Sequence, residues 1–422
     1  MDTNFESSLK RFPVELKQNL LSLAPDIFSL RSMVLSCSSL YHAFLGAEKM
    51  ITTQVVKHQF ESIPEALLQH ARNRAKDLRT EKDFDLFIQN NSWVQFTNSW
   101  TLAEALSLAR LHTIVERFTS DFIAETLSKY STFAYIDPPP NWPVSQDELT
   151  RIYRAFYRFE LFCHPFYQHS FSSHYMDEVS WNEVMIFSFA FSCWEIEQVA
   201  ALYEYLYRLI CPGTIYSCVS RLVTDCFMAF NDIVEHDFKW GDDSTYPVDV
   251  ILYGDEFDNR DISCLLSHGL EFIRKVVDSE TYRARHDLLS PLQLNHHRCC
   301  SSEILTDWLN RYDNSIRLSE YTPDEEQEFR RIHSVFLSDP NSGPVDAWRW
   351  AHQDETMSGF FFSVNQVALR SRGYCMWDRA RLDKWAVFQQ PWDPPQNPHQ
   401  GDEQKSQKAA MKIWFENRRR PL

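Results

Sequence analysis

Chemistry in this chain would have to come from a few scattered clusters. His296-His297-Arg298-Cys299-Cys300, with His286 upstream, gathers the residue types that bind zinc. A tetrahedral zinc site takes its ligands as separated pairs so that the ion can sit between them, and adjacent His-His and Cys-Cys pairs do not offer that spacing. The acidic run from Asp255 to Asp261 lacks the alternating ligands and the sixth-place glycine of a calcium loop. Arg151, Arg154 and Arg158 form a basic stripe at helical spacing. In an acidic chain with no further phosphate-binding motif, they read as internal ion-pair partners or a solvated face, ahead of an acidic-ligand site. The sequence holds no H-E-x-x-H, no G-x-S-x-G, no G-x-G and no G-K-S/T. No catalytic residue, metal ligand or cofactor contact is therefore assigned, and the chain reads as a binding protein without catalysis of its own.

The ordered signature lies near the start. Phe12-Pro13 opens a helix, because proline is favoured at a first helical position where its missing N–H costs nothing. Leu16, Leu20 and Leu23 come next at i, i+4 and i+7, which places them on one face, with Leu21 beside them. Pro25-Asp26 ends that helix. A second begins near Ile27 and carries Leu30, Met33, Val34, Leu35 and Cys37; Ser38-Ser39 starts a third with Leu40, Tyr41 and Phe44. Three helices in some forty residues cannot hide so many apolar groups. The surplus must meet the rest of the chain or another protein.

On those residues, the stretch resembles the F-box, the short helical module that joins substrate receptors to the Skp-type adaptor of cullin-based ubiquitin ligases. Phe12-Pro13-x-Glu15-Leu16 matches its Leu-Pro-x-Glu-Leu opening. Leu20-Leu21-x-Leu23 matches its hydrophobic run, and Leu30 and Val34-Leu35-x-Cys37-x-x-Leu40-Tyr41 match its closing segment. Phe12 stands where Leu is usual and Leu40 where Trp is common, so the apolar character is kept. The match spans about a tenth of the chain, and the whole is similar to the F-box-containing proteins of filamentous fungi. The resemblance implies an adaptor-binding set of Phe12, Pro13, Leu16, Leu20, Leu21, Leu23, Leu30, Val34, Leu35, Leu40 and Tyr41. It implies a Skp-type adaptor and, through it, a cullin as partners, with a protein substrate held by the remaining chain.

Composition sets the frame. Glycine is 9 of 422 residues, well under the usual share of about 7%, so loops needing φ > 0 are scarce and the chain leans to helix. Hydrophobic residues at 44% argue for a filled core and against general disorder. The net charge of −16 disfavours non-specific nucleic-acid binding. Ten cysteines without a C-x-x-C read as reduced and intracellular, in cytoplasm or nucleus. The N-terminus shows no secretory signal, and no apolar run reaches the ~20 residues of a membrane span.

Along the chain, Pro64-Glu65 marks a fresh helix start. Thr101–Tyr130 is a long amphipathic helix burying Leu111, Ile114, Val115, Phe118 and Phe122, with Glu104, Arg110, Glu116, Arg117 and Asp121 outward. A proline-rich connector spans 137–143. Ser145-x-x-Glu148 has capping-box spacing and leads a helix with Ile152, Ala155, Phe156, Phe159 and Cys163 on one face. Val184–Ile210, Ile215–Phe238 and Pro323–Leu337 read as further helices. The tryptophan-rich stretch Trp348–Trp392 reads as packing surface before recognition surface.

Met411–Arg420 resembles the recognition-helix core of a homeodomain, with Asn417 at the adenine-reading place. Proline-rich linker stands where two packed helices should precede it, so a basic tail or nuclear-import patch is the plainer reading.

The fold expected is all-α: an F-box-like three-helix unit over 1–50, an irregular helical domain over 51–388, and a proline-rich linker with a basic tail over 389–422. The function expected is substrate recruitment to a Skp–cullin–F-box ligase. Three alternatives stay open: a helical scaffold whose F-box-like unit is folded inward, a nucleic-acid-associated regulator using the C-terminal basic helix, and an enzyme with an unrecognised pocket.

Overall fold

The computed structural model describes residues 11–74, 99–130, 142–168, 192–210, 265–279, 284, 288, 339, 341–352 and 369–389. Among these the regular structure is helical, with no strand, so the fold is all-α. The expected helices at 215–238 and 323–337, most of the proline-rich connector, and the C-terminal tail lie outside the described residues.

Three short helices open the chain: α1 (Val14–Ser22), α2 (Ile27–Ser36) and α3 (Ser38–Leu45). Pro13 is the N-cap of α1, one place earlier than the first-turn position expected, and its carbonyl accepts from the Lys17 N–H at 3.3 Å. Asp26 caps α2 by accepting from the Ser29 N–H at 2.8 Å, which explains why the Pro25-Asp26 pair both stops one helix and starts the next. A fourth helix, α4 (Glu48–Gln59), runs on across residue 50 and packs on α1, α2 and α3. The group is fastened to the rest of the chain by polar contacts from α4. The Thr53 hydroxyl accepts from the Trp100 N–H at 3.0 Å, and Glu48 accepts from the Leu102 N–H at 2.9 Å.

Beyond it come α5 (Pro64–Arg74) and the long α6 (Leu102–Tyr130), against which α2 and α4 pack. Ile114, Val115, Phe118 and Phe122 of α6 are buried and Arg110, Glu116, Arg117 and Asp121 exposed, as the spacing requires; Leu111 and Glu104 are half-buried. Glu104 is held back because it closes a capping box with Thr101, accepting from its N–H at 2.8 Å.

The centre is α7 (Gln146–Gln168). It lies against α5, α6 and α8 (Cys193–Ile210), and against the 3-10 turn Tyr374–Met376. Its start is the expected capping box: Glu148 accepts from the Ser145 N–H at 2.9 Å and Ser145 Oγ from the Glu148 N–H at 3.1 Å. Ile152, Ala155, Phe156, Phe159 and Cys163 are all buried. Helices α9 (Leu270–Val277), α10 (Gly343–His352) and α11 (Arg379–Lys384) complete the described fold, with a last 3-10 turn at Val387–Gln389. In the tryptophan-rich stretch, Trp348 and Trp377 are buried while Trp350 and Trp385 are half-buried, in keeping with a packing role; Trp392 lies outside the described residues.

At Gly343 two backbone segments meet. A Cβ there would stand 2.4 Å from both the Arg379 nitrogen and the Trp377 oxygen. Neither can move without shifting α11. We expect Gly343→Ala to destabilise the chain by about 1 to 3 kcal/mol or more, read as a lower urea midpoint at unchanged slope.

Candidate functional site

Two features stand out, and only one is open to a partner. The closed one is the basic stripe of α7. Arg151, Arg154 and Arg158 are buried, as are Glu148 and Glu65, so five charged side chains share the interior with the apolar core. Such groups are tolerated only when each charge is paired and hydrogen-bonded.

They are. Glu65, 0% exposed at the start of α5, accepts from Arg154 Nε at 2.9 Å and Arg158 Nε at 3.1 Å. Arg158 also donates to Glu195 of α8 at 2.6 Å and to Gln198 at 3.2 Å. Arg151 pairs with Asp339 and Asp378 and donates to the Met376 carbonyl. Arg381 clasps Glu148 with two hydrogen bonds of 2.7 Å, and Arg370 clasps Glu197 at 2.7 and 2.9 Å.

Burial alone would lower the pKa of Arg151, but Asp339 and Asp378 outweigh it and the value is raised. Burial likewise pushes Glu195 upward, yet Arg158 and Arg154 bring it below the usual carboxylate range. Glu148 and Asp339 are held low in the same way, by Arg381 and by Arg151. The stripe is thus internal cross-bracing between α5, α7, α8 and the segment around 376–381. Glu65, the residue through which two arginines meet, was visible in the sequence only as a helix-start acid.

Beside this network, His112 of α6 is neutral. Burial lowers its pKa from 6.5 to about 4, and its Nδ1 lies 3.2 Å from the Tyr157 hydroxyl. Glu116, whose carboxylate is 3.8 Å from Nε2, and Tyr153 flank it.

The open feature is apolar. Among the described residues, eleven large hydrophobic side chains are exposed, and ten of them fall between Phe12 and Met50. Of the nominated set, Phe12, Pro13, Leu16, Leu20, Leu23, Leu35 and Tyr41 are exposed, with Leu16 at 52% and Leu23 at 76%. Leu21, Leu30, Val34 and Leu40 are instead buried in the chain's own core. Helices α1 to α3 are therefore two-sided. One side is the floor that anchors them to α4 and α6, and the other is left uncovered among the described residues.

Sequence reading missed Val14, Phe28 and Leu45 on the outer side, and Met50 of α4, which is also exposed. Part of the signal was present: Phe28 and Leu35 are two helical turns apart on α2, and Tyr41 and Leu45 one turn apart on α3.

The histidine–cysteine cluster at 296–300, the acidic run at 255–261 and the 411–420 segment lie outside the described residues. Among the described residues there is no group of three or more His, Cys, Asp or Glu placed to hold a metal, and no helix long and apolar enough to cross a membrane. Cys37, Cys163 and Cys375 form no disulfide. No protein-family model, no curated protein and no solved structure matches this chain.

Two measurements check this division. Leu21→Ala should cost about 2 to 5 kcal/mol of unfolding free energy while Leu16→Ala costs under about 0.5, a contrast that equal losses would refute. The second concerns pH. Above pH 6.5 His112 is neutral folded or unfolded. Below it the unfolded chain binds a proton that the folded chain refuses until about pH 4, so stability falls as pH drops through that window. Between pH 7 and 5 the expected loss is roughly 2 kcal/mol, and His112→Gln should remove it. The depressed carboxylates Glu148, Glu195 and Asp339 add a further loss only below their ordinary range of about 4.

Proposed function

We propose that this chain is the substrate-recruiting subunit of a Skp–cullin–F-box ubiquitin ligase, docking on a Skp-type adaptor through the outer side of α1 to α3. One observation carries the reading. The residues of the F-box-like signature that remain exposed, Phe12, Pro13, Leu16, Leu20, Leu23, Leu35 and Tyr41, belong to the stretch that holds almost all the exposed large apolar groups among the described residues. Monomeric proteins rarely leave large contiguous apolar patches to water, and such patches mark interaction sites.

The buried members of the signature then act indirectly, as the floor that fixes the outer residues. Hydrogen bonds hold that floor in place: Gln18 Nε2 donates to the Ala43 carbonyl at 3.0 Å, and the Ile27 N–H donates to Gln59 Oε1 at 3.1 Å. A face on helices tied to α6 through Thr53 and Glu48 keeps its shape on binding, which lowers the ordering cost of association.

The mechanism is positional. Covering four or five such side chains supplies roughly 6 to 12 kcal/mol before association costs, enough for a specific complex. The helical body beyond residue 50 would hold the target near the ubiquitin-charged enzyme and raise its effective concentration, with all bond-making in other subunits. The exposure of Leu16 and Leu20 among the described residues supports adaptor docking ahead of the alternative, a helical scaffold whose F-box-like unit is folded inward.

The test is co-purification with a Skp-type adaptor and a cullin. Wild-type chain should bring both down, and Pro13→Ala with Leu16→Ala should lose them while far-UV circular dichroism stays helical. Adaptor binding that survives the double substitution undiminished would remove the proposal.

A further inference from the structure

We infer that the outer side of α1 to α3 takes an acidic partner: an apolar protein surface edged with Asp and Glu, which meets unpaired cations set among the exposed apolar groups of this face. The inference deepens the docking proposal by stating the chemistry of the partner's face, and it rests on that face being the one that binds.

The sign of the face follows from how the stretch folds. Residues 11–50 hold Arg11, Lys17, Arg31 and Lys49 against Glu15, Asp26 and Glu48. Two of the three acids are turned to the chain's own backbone. Asp26 caps α2, accepting from the Ser29 N–H at 2.8 Å and the Ser29 hydroxyl at 2.7 Å. Glu48 accepts from the Leu102 N–H at the start of α6, at 2.9 Å. Helix starts leave N–H groups that a carboxylate satisfies well, so folding draws negative charge inward here. Lys17 is buried too. What stays exposed is Arg11, Arg31 and Lys49 against Glu15 alone.

These cations stand beside the exposed apolar groups. Phe28, Arg31 and Leu35 follow at i, i+3 and i+7 on one side of α2, Arg11 precedes Phe12, and Lys49 precedes Met50. None of the three makes a salt bridge among the described residues. Several cations on the surface of the helical body do: Arg117 with Asp278 at 2.6 Å, Lys275 with Glu271 at 3.1 Å, and Arg379 with Asp346 at 2.7 Å. In a chain of net charge −16 acids are in excess, yet these three go without one. An acidic partner supplies it.

Charge also decides which kind of acidic partner. Nucleic acid is held mainly through many phosphate contacts, and three cations among ten large exposed apolar groups are too few. An anionic bilayer is a broad negative plane. Residues 11–50 carry one net positive charge, so the rest of the chain carries −17, which such a plane repels. A protein surface can place its acids only where the cations are.

Two synthetic helical peptides with the same leucine face, one flanked by Glu and the other by Lys, test this by fluorescence anisotropy on the full chain. Net charge favours the Lys peptide, whereas the local face favours the Glu peptide. The expected result is binding of the Glu peptide at least about tenfold tighter than the Lys peptide at about 20 mM sodium chloride, a margin that shrinks towards 1 M as the Debye length falls to ~3 Å. Arg31→Glu with Lys49→Glu should reverse the preference. Arg31→Gln with Lys49→Gln, which should abolish it, serves as the second variant if the first loses its helical circular dichroism. A preference for the Lys peptide, no binding of either at about 100 µM, or a preference that survives both variants overturns the inference. So does binding to phosphatidylserine vesicles, lost in the same variants, by a chain that ignores the Glu peptide. A purified Skp-type adaptor separates the two readings. A chain that selects the Glu peptide yet ignores the adaptor keeps the inference and removes the ligase proposal. An adaptor that binds with an on-rate unmoved by salt and by the charge reversal keeps the ligase proposal and overturns the inference.

Discussion

The packing of α5, α8 and the segments around 339 and 376–381 on α7 depends on neutralising its arginines. A helix with Arg151, Arg154 and Arg158 turned into the interior carries a desolvation cost of several kcal/mol per charge unless each is met by an acid. The acids come from four separate places in the chain: Glu65 on α5, Glu195 on α8, Asp339, and Asp378 ahead of α11. Pairing therefore fixes which elements must surround α7. Whether the network adds net stability over an apolar core is a different matter; buried ion pairs often do not. Its effect here is to specify neighbours, because an element shifted by one turn would strand a buried charge.

The N-terminal helices obey another logic. They contribute Leu21, Ile27, Leu30, Val34, Leu40 and Phe44 to the core and leave an equally apolar set outside. A bundle so small has more surface than interior, so a sequence apolar on both sides of its helices is not optimised for water. The four-helix arrangement with α4, held to residues 100 and 102 by Thr53 and Glu48, makes the outer side a rigid platform. The function proposed for the chain rests on what that platform leaves uncovered among the described residues.

Much of the architecture could be read from residue pattern, because the signals were local. The Pro25-Asp26 break, the Ser38-Ser39 start, the Pro64-Glu65 start and the Ser145–Glu148 capping box are set by residues within a turn of each other, and each stands where expected; at Asp26 and at Ser145–Glu148 the side chains satisfy backbone N–H groups directly. The buried face of α7 came from its period. The fate of the arginine stripe did not: the pairing of Arg151 with Asp378 joins residues 227 apart, which no window along the chain can reveal. The division of the F-box-like signature into floor and platform was illegible for a similar reason. Leu20 and Leu21 are neighbours of one type, and only the positions of α4 and α6 decide that one is buried and the other open.

The central claim is that the outer side of α1 to α3 is made to be covered by another protein while the inner side is not. Residue-resolved carbene footprinting of the chain with and without a purified Skp-type adaptor addresses it most directly. The account predicts that Phe12, Leu16, Leu20, Leu23, Leu35 and Tyr41 label readily in the free chain and lose that labelling in the complex, with Leu21, Leu30, Val34 and Leu40 unreactive in both. Labelling of the outer residues that does not change when the adaptor is added would contradict it.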